Sequence, residues 1–116
     1  MYRKFLLKSP LIGQNFRLYS TIMSHSGHKR ALVTIANGSE EIEAVTAIDV
    51  LRRAKVDVTV ASVESHLQVT AARGTKLVAD TLLTNLDENA IFDAIVLPGG
   101  MPGAETLGKN QQLLVM

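Results

Sequence analysis

The 116 residues leave room for one small domain and an extension, and no apolar run reaches the roughly 18 residues that a membrane-spanning helix needs. Every acidic residue lies within residues 29–116, which carry eleven acidic and eight basic side chains, so neither nucleic acid nor a membrane is expected as a main partner. The chain contains no cysteine, which excludes a disulfide, a thiolate metal site and a cysteine nucleophile within these residues.

The first 22 residues have the composition of a mitochondrial transit peptide, because they carry four basic side chains, several hydroxyls and no acid. Arg17 lies two residues before Tyr19, which resembles the matrix-protease pattern and predicts cleavage before Ser20. A disordered basic tail or an untranslated leader is the alternative. Met23 is a second plausible start, so a mitochondrial and a cytoplasmic form are both expected. We expect residues 23–28 to be a linker and the fold to begin at residue 29.

A strand, a glycine turn and a helix follow one another over residues 30–54. The continuous apolar run of residues 31–36 predicts a strand buried on both faces and therefore a parallel sheet. Asn37 and Gly38 end the run, Ser39 is expected to cap the helix, and Glu40 and Glu41 suit the positive end of its dipole. Ligands of open α/β sheets bind beyond the carboxyl ends of strands, so chemistry is expected near residues 37–43.

The helix is predicted to pack an apolar face on the sheet, formed by Ile42, Val45, Ala47, Ile48, Leu51 and Ala54. Residues 57–63 predict a second strand, which completes a right-handed βαβ unit. Residues 68–70 and 77–79 predict a small hairpin off the main sheet, and residues 81–90 a short helix or turn.

Residues 92–97 predict a third strand that ends at the sequence PGGMPG, residues 98–103. Adjacent glycines allow a sharp turn and bring backbone N–H groups close to a ligand, which predicts an anion or oxyanion site; a purely structural turn is the alternative. Residues 104–116 predict a helix with Leu107, Leu113 and Leu114 as core positions. Since three strands with an exposed edge need further cover, we expect about half of the domain to lie outside this sequence.

Three motifs occur in a fixed order: EExE at residues 40–43, VLRRA at residues 50–54 and VLPGG at residues 96–100. Together with their surroundings they resemble the ThiJ/PfpI superfamily, in its parkinsonism-associated protein deglycase branch, over residues 29–116. The resemblance implies a flavodoxin-like three-layer α/β sandwich with a parallel sheet, akin to the class I glutamine amidotransferases and usually a homodimer. This chain would be its truncated, amino-terminal portion.

The resemblance also implies a cysteine-dependent site. Glu43 matches the family's glutamate, which is expected to hydrogen-bond the cysteine sulfur and to shuttle a proton; solvation of the first helical turn is the alternative. Gly99 and Gly100 match a turn whose backbone amides face the developing oxyanion. Further anion-binding or substrate-binding candidates are Asn37, Gly38, Arg53 and Arg73, and a surface salt bridge is the alternative role for the two arginines.

The family's reactive cysteine and its nearby histidine are expected after residue 116, and His66 is no substitute because it precedes the hairpin. At residues 71–73 a cysteine often precedes a serine in relatives, so an accessory thiol is absent here. An intact relative would act on methylglyoxal or glycated protein groups, without metal or cofactor, and would have an oxidant-sensing and chaperone-like role. The present chain should not catalyse that reaction because it lacks the attacking atom.

Two other functions stay open. A non-catalytic stress-response or chaperone-like protein would bind clients or a full-length partner through its exposed edge and apolar helix faces. A phosphate-binding or nucleotide-binding module at Asn37 and Gly38 is the weaker choice, because the chain lacks the G-x-G-x-x-G and Walker patterns. The isolated chain is expected to aggregate or to be degraded, since a half-covered sheet buries too little surface to offset chain entropy.

Overall fold

This computed structural model describes residues 29–116, Gly27 and the backbone of two short strands nearer the amino terminus. These strands, β1 (Arg3–Phe5) and β2 (Ser20–Ile22), pair in antiparallel register. The predicted transit peptide and linker otherwise lie outside the described residues, and their boundaries stay predictions.

Residues 29–116 form a parallel sheet with helices and a separate hairpin. In chain order the elements are β3 (Arg30–Ile35), α1 (Glu41–Arg53), β4 (Asp57–Ser62), β5 (Gln68–Thr70), β6 (Lys76–Val78), β7 (Thr81–Leu82), a 3₁₀ turn (Leu83–Asn85), β8 (Ala94–Val96), α2 (Gly103–Gly108) and α3 (Gln111–Val115). The sheet has the parallel order β7-β4-β3-β8, and β5 and β6 form the predicted hairpin outside it. The parallel α/β class is confirmed, and the short strand β7 adds a member that the sequence did not predict.

The central strand β3 is buried on both faces, as its continuous apolar run predicted. Ala31, Val33 and Ile35 belong to a core cluster that includes residues of α1 and of the hairpin. Leu32 points to the opposite face, where it packs with Ala61 and with Leu83 of the 3₁₀ turn. Two hydrophobic layers therefore flank the sheet, and the buried strand β3 leads directly into the loop before α1.

The start of α1 differs from the prediction. Glu40 is the N-cap residue and makes no side-chain cap, so the assignment of Ser39 as the cap was wrong. The buried Ser39 hydroxyl instead accepts a hydrogen bond from the Ala36 N–H group at 3.0 Å. This bond folds the loop back onto the end of β3, which leaves the Ser39 hydroxyl unable to reach forward into the helix.

The face of α1 that packs on the sheet also differs. Ala44 is buried and Ile48 and Leu51 pack against the core, whereas Ile42 and Val45 are 70% and 46% exposed. Ala47 is half-buried, and Ala54 is exposed beyond the helix end. The predicted packing of Ile42, Val45 and Ala54 was wrong because a strict spacing of three drifts by about 60° per step around a helix with 3.6 residues per turn.

The carboxyl-terminal part is more broken than predicted. The strand expected over residues 92–97 shortens to β8, and just before it the Arg30 N–H group donates to the Asp93 carboxylate at 2.8 Å. The helix expected over residues 104–116 divides into α2 and α3, since the Asn110 side chain caps α3 by accepting from the Leu113 N–H group at 3.1 Å. Leu107 is buried and Leu113 packs against the second core cluster. Leu114 is 63% exposed, so its core assignment was wrong.

Candidate functional site

The carboxyl ends of β3 and β8 bring the loop before α1 into contact with the Pro-Gly-Gly turn. The Glu40 N–H group donates to the Gly99 carbonyl at 2.8 Å. A Cβ atom on Gly100 would lie 2.5 Å from the Glu40 nitrogen, and one on Gly38 would overlap Pro102. The two segments can approach this closely only because glycine occupies these positions.

Glu43, in the first turn of α1, directs its carboxylate at the same turn. The Gly99 N–H group donates to Glu43 Oε2 at 2.5 Å. Glu43 is exposed and Gly99 is half-buried, so the pair borders solvent. The structure thus brings together two residues that the sequence assigned to one site, and their chemical roles stay predictions.

The two glycine amides of the turn have different partners. The Gly99 N–H group donates to the Glu43 carboxylate, whereas the Gly100 N–H group donates to no acceptor within residues 29–116. Gly100 has a φ of +87°, in the left-handed region that favours glycine. Gly99 therefore holds the Glu43 carboxylate through a hydrogen bond, and the oxyanion role of the two amides stays a prediction.

Asn37 and Gly38 have structural hydrogen bonds. The Asn37 N–H group donates to Glu64 Oε1 at 2.9 Å, and Asn37 Oδ1 accepts from the Thr70 N–H group at 2.9 Å. The Gly38 N–H group donates to the Thr70 carbonyl, also at 2.9 Å. An anion would have to displace these bonds, so anion binding here stays a prediction. Sequence reasoning missed Glu64, which no motif marks.

The structure does not bring Arg53 to Glu43. Arg53 lies ten residues further along α1, about 15 Å away along the helix axis. Its Nε atom is 2.9 Å from Asp49 Oδ2, and both side chains are exposed, which is the surface ion pair named as its alternative role. His66 is also exposed, and its Nδ1 atom lies 3.2 Å from the hydroxyl of its neighbour Ser65.

Arg73 lies in the turn of the hairpin and is joined to α1 through its backbone. Its N–H group donates to both oxygens of Glu41, at 2.9 and 3.1 Å. Desolvation works to raise the pKa of Glu41, but hydrogen bonds from its own N–H group, from Thr75 and from Arg73 lower it, and the pKa falls below its ordinary value. The sequence identified Glu41 as part of an acidic motif and as suited to the positive end of the helix dipole, but its contact with a distant turn has no local signal.

The described part of the chain offers no group of three or more metal-ligating side chains. Among the same residues, no helix has the length and apolar character that crossing a bilayer requires.

Residues 29–116 match the DJ-1/PfpI family over their whole length. The chain belongs to this family. It is 50% identical over 94 residues to Protein DJ-1 homolog B of Arabidopsis thaliana, covering 81% of this chain and 21% of the relative. Identity to Protein DJ-1 homolog A of the same plant is 57% over 85 residues, covering 73% and 21% of the two chains.

A solved structure of this DJ-1/PfpI family, oxidized DJ-1 of Toxoplasma gondii, has a TM-score of 0.72 and 47% identity, over 75% of this chain and 47% of that one. These findings confirm the resemblance read from the motifs and the flavodoxin-like fold. The chain spans about a fifth of the length of the two plant relatives and about half of the solved one.

Proposed function

We propose that residues 29–116 supply two walls of a cysteine-dependent site in the whole DJ-1/PfpI protein. Its substrates are small carbonyl compounds such as methylglyoxal, or glycated groups on proteins. The observation that carries the proposal is the hydrogen bond from the Gly99 amide to the Glu43 carboxylate, which places an acid beside a glycine turn at the carboxyl edge of the sheet.

The chemistry follows from the two groups. When a thiolate attacks a carbonyl carbon, the electron pair of the C=O bond moves onto oxygen, and the Gly100 amide is the donor available to stabilise that charge. Glu43 gives or takes the proton that turnover requires, and Gly99 holds its carboxylate in place. The thiolate has to come from outside these 116 residues, which contain no cysteine, so we propose that the chain alone does not turn over substrate.

A chimera provides the test. Residues 29–116 would replace the matching segment of Toxoplasma gondii DJ-1, and methylglyoxal consumption would be followed. We expect Glu43→Gln to lower kcat by about a hundredfold or more, because the amide cannot shuttle a proton. Glu40→Gln is the matched control: Glu40 is the neighbouring acid whose side chain has no hydrogen bond to the described residues, and it should leave kcat within about twofold.

The result that would overturn the proposal is an active chimera in which Glu43→Gln and Glu40→Gln have the same kcat as the parent. Turnover of methylglyoxal by the 116-residue chain itself would refute the need for an external thiolate.

A second function has its own observation. Ile42 and Val50 are exposed on one side of α1, next to Glu43. We propose that this apolar face is covered by a second subunit in the whole protein, as a homodimer, because exposed apolar patches of this kind mark protein contacts. The chaperone-like alternative uses the same face for unfolded clients. Suppression of the light scattering of a heat-denatured client by the 116-residue chain, lost on Ile42→Ser, would favour it.

A further inference from the structure

The turn of the hairpin is fastened to the loop before α1 by a row of hydrogen bonds. Each bond joins one residue of segment 70–73 to one of segment 37–41: Gly38 N–H to Thr70 O at 2.9 Å, Ala72 N–H to Ser39 O at 2.8 Å, and Arg73 N–H to Glu41 Oε1 at 2.9 Å. These bonds therefore attach the hairpin to the site loop at this end, although it belongs to a separate sheet.

Glu41 closes the row and differs from the other acceptors because it is an ionisable side chain. Hydrogen bonds to a carboxylate are stronger than those to a carbonyl group. Desolvation works to raise the pKa of Glu41, but the hydrogen bonds to its carboxylate lower the pKa and favour the ionised form. The turn itself is closed by the Ala71 N–H bond to Thr75 O and the Gly74 N–H bond to Ala71 O, so it attaches to Glu41 as a small preformed unit.

We propose that Glu41 is a positioning residue of the site. By accepting the backbone N–H of Arg73, it fixes the turn of residues 71–75 to the first turn of α1, two residues from Glu43, and so holds the backbone from which the Arg73 side chain extends at that end of the helix. Arg73 then offers its charge to substrates that carry an anionic group. This last step rests on the proposed function, whereas the attachment of the turn does not.

The attachment can be tested in the chimera that carries residues 29–116, because the isolated chain is expected to aggregate. We expect Glu41→Ala to speed hydrogen exchange of the Arg73 amide about tenfold or more, because the amide loses a charged acceptor. Glu41→Gln keeps an oxygen acceptor without the charge and should give a smaller increase. Glu40→Gln is the adjacent control and should leave the exchange rate within about twofold of the parent.

The absence of cysteine allows a second readout. In Arg73→Cys, made in a chimera whose host cysteines are changed to serine, the introduced thiol would be the only one and would carry a nitroxide label, while the backbone N–H that binds Glu41 is kept. The label should be restricted with Glu41 present and mobile in Glu41→Ala. Should Glu41→Ala fail to fold by circular dichroism, the difference between Glu41→Gln and Glu40→Gln decides the question.

The positioning role is tested in the chimera with two carbonyl substrates. Glu41→Ala should raise KM for anionic glyoxylate about twofold to fivefold, the range for an exposed ion pair, and leave KM for neutral methylglyoxal unchanged. An equal rise for both substrates, or parental exchange and label mobility in Glu41→Ala, would overturn the proposal. A catalytically unimportant Glu43 would refute the proposed function and leave the exchange and label results intact, so the two failures are distinguishable.

Discussion

Glycine decides how close the two loops of the site can lie. Gly38 and Gly100 face backbone atoms of the opposite loop, and Gly103 faces the Ser39 nitrogen. Side chains at these positions would push the Pro-Gly-Gly turn away from α1. Because the Gly99 amide binds Glu43 directly, any such displacement would also move the carboxylate. The geometry of the acid is therefore set by backbone contacts.

Three alanine substitutions separate the contributions at this scale. Gly108 has open space around it and no positive φ, so Gly108→Ala should be neutral or stabilising by up to about 1 kcal/mol. Gly74 has a φ of +88° and open space, so Gly74→Ala should cost about 1 to 2 kcal/mol for the left-handed backbone alone. Gly100→Ala combines a positive φ with contacts of 2.5 Å, and should cost more than Gly74→Ala.

The measurement is the free energy of unfolding in urea, on the chimera that carries residues 29–116. If Gly100→Ala and Gly74→Ala were equally destabilising, the close approach of the two loops would contribute nothing to the free energy of unfolding.

At the scale of elements, the sequence predicted what depends on local pattern. The continuous apolar run of β3 requires burial on both faces, and the structure has it. The predicted packing face of α1 included residues that the structure exposes. The face is centred on the buried Ala44, whose small side chain does not mark it as a core residue in the sequence pattern. Strand β7 has two residues and forms only by pairing with β4, which is a tertiary contact.

In the candidate site, too, some residues were predicted from motifs and others could not be assigned from the sequence. The motifs marked Glu43, Gly99 and Gly100, and the structure brings these segments together. Arg53 was marked by the same resemblance, but its guanidinium pairs with Asp49 one helical turn away. Serine is a common helix-capping residue, but the Ser39 hydroxyl accepts a hydrogen bond from Ala36, just after the end of β3. Hydrogen-bonding side chains with several possible partners are the ones that pattern alone could not assign.

Helix α1 allows a test of its two faces. Ile48 packs against the core, so Ile48→Ala should lower the free energy of unfolding of the chimera by about 2 kcal/mol at any protein concentration. Ile42 is exposed within residues 29–116, so Ile42→Ala should have an effect only where a second subunit covers this face. Its effect should therefore grow with protein concentration over the range in which dimers form. Equal and concentration-independent losses would show that both residues belong to one monomer core.

At the scale of the whole molecule, charge separates two parts of the chain. Residues 1–28 hold four basic side chains and no acid, whereas residues 29–116 hold all eleven acids. The acids that define the site belong to the second part, and they bond to backbone groups of the sheet loops and the hairpin turn. We propose that the basic charge of residues 1–28 serves targeting.

That role predicts where two forms of the protein are found. A fusion of residues 1–28 to a fluorescent protein should enter mitochondria, because the basic and apolar composition suits import, whereas translation from Met23 should leave the protein in the cytoplasm. Changing Arg3, Lys4, Lys8 and Arg17 to glutamine keeps length and hydrophobicity and should abolish import. The measurement is co-localisation with a matrix marker, together with the amino-terminal sequence of the imported product, expected to begin at Ser20. Import of the glutamine variant would show that the basic side chains do not direct targeting.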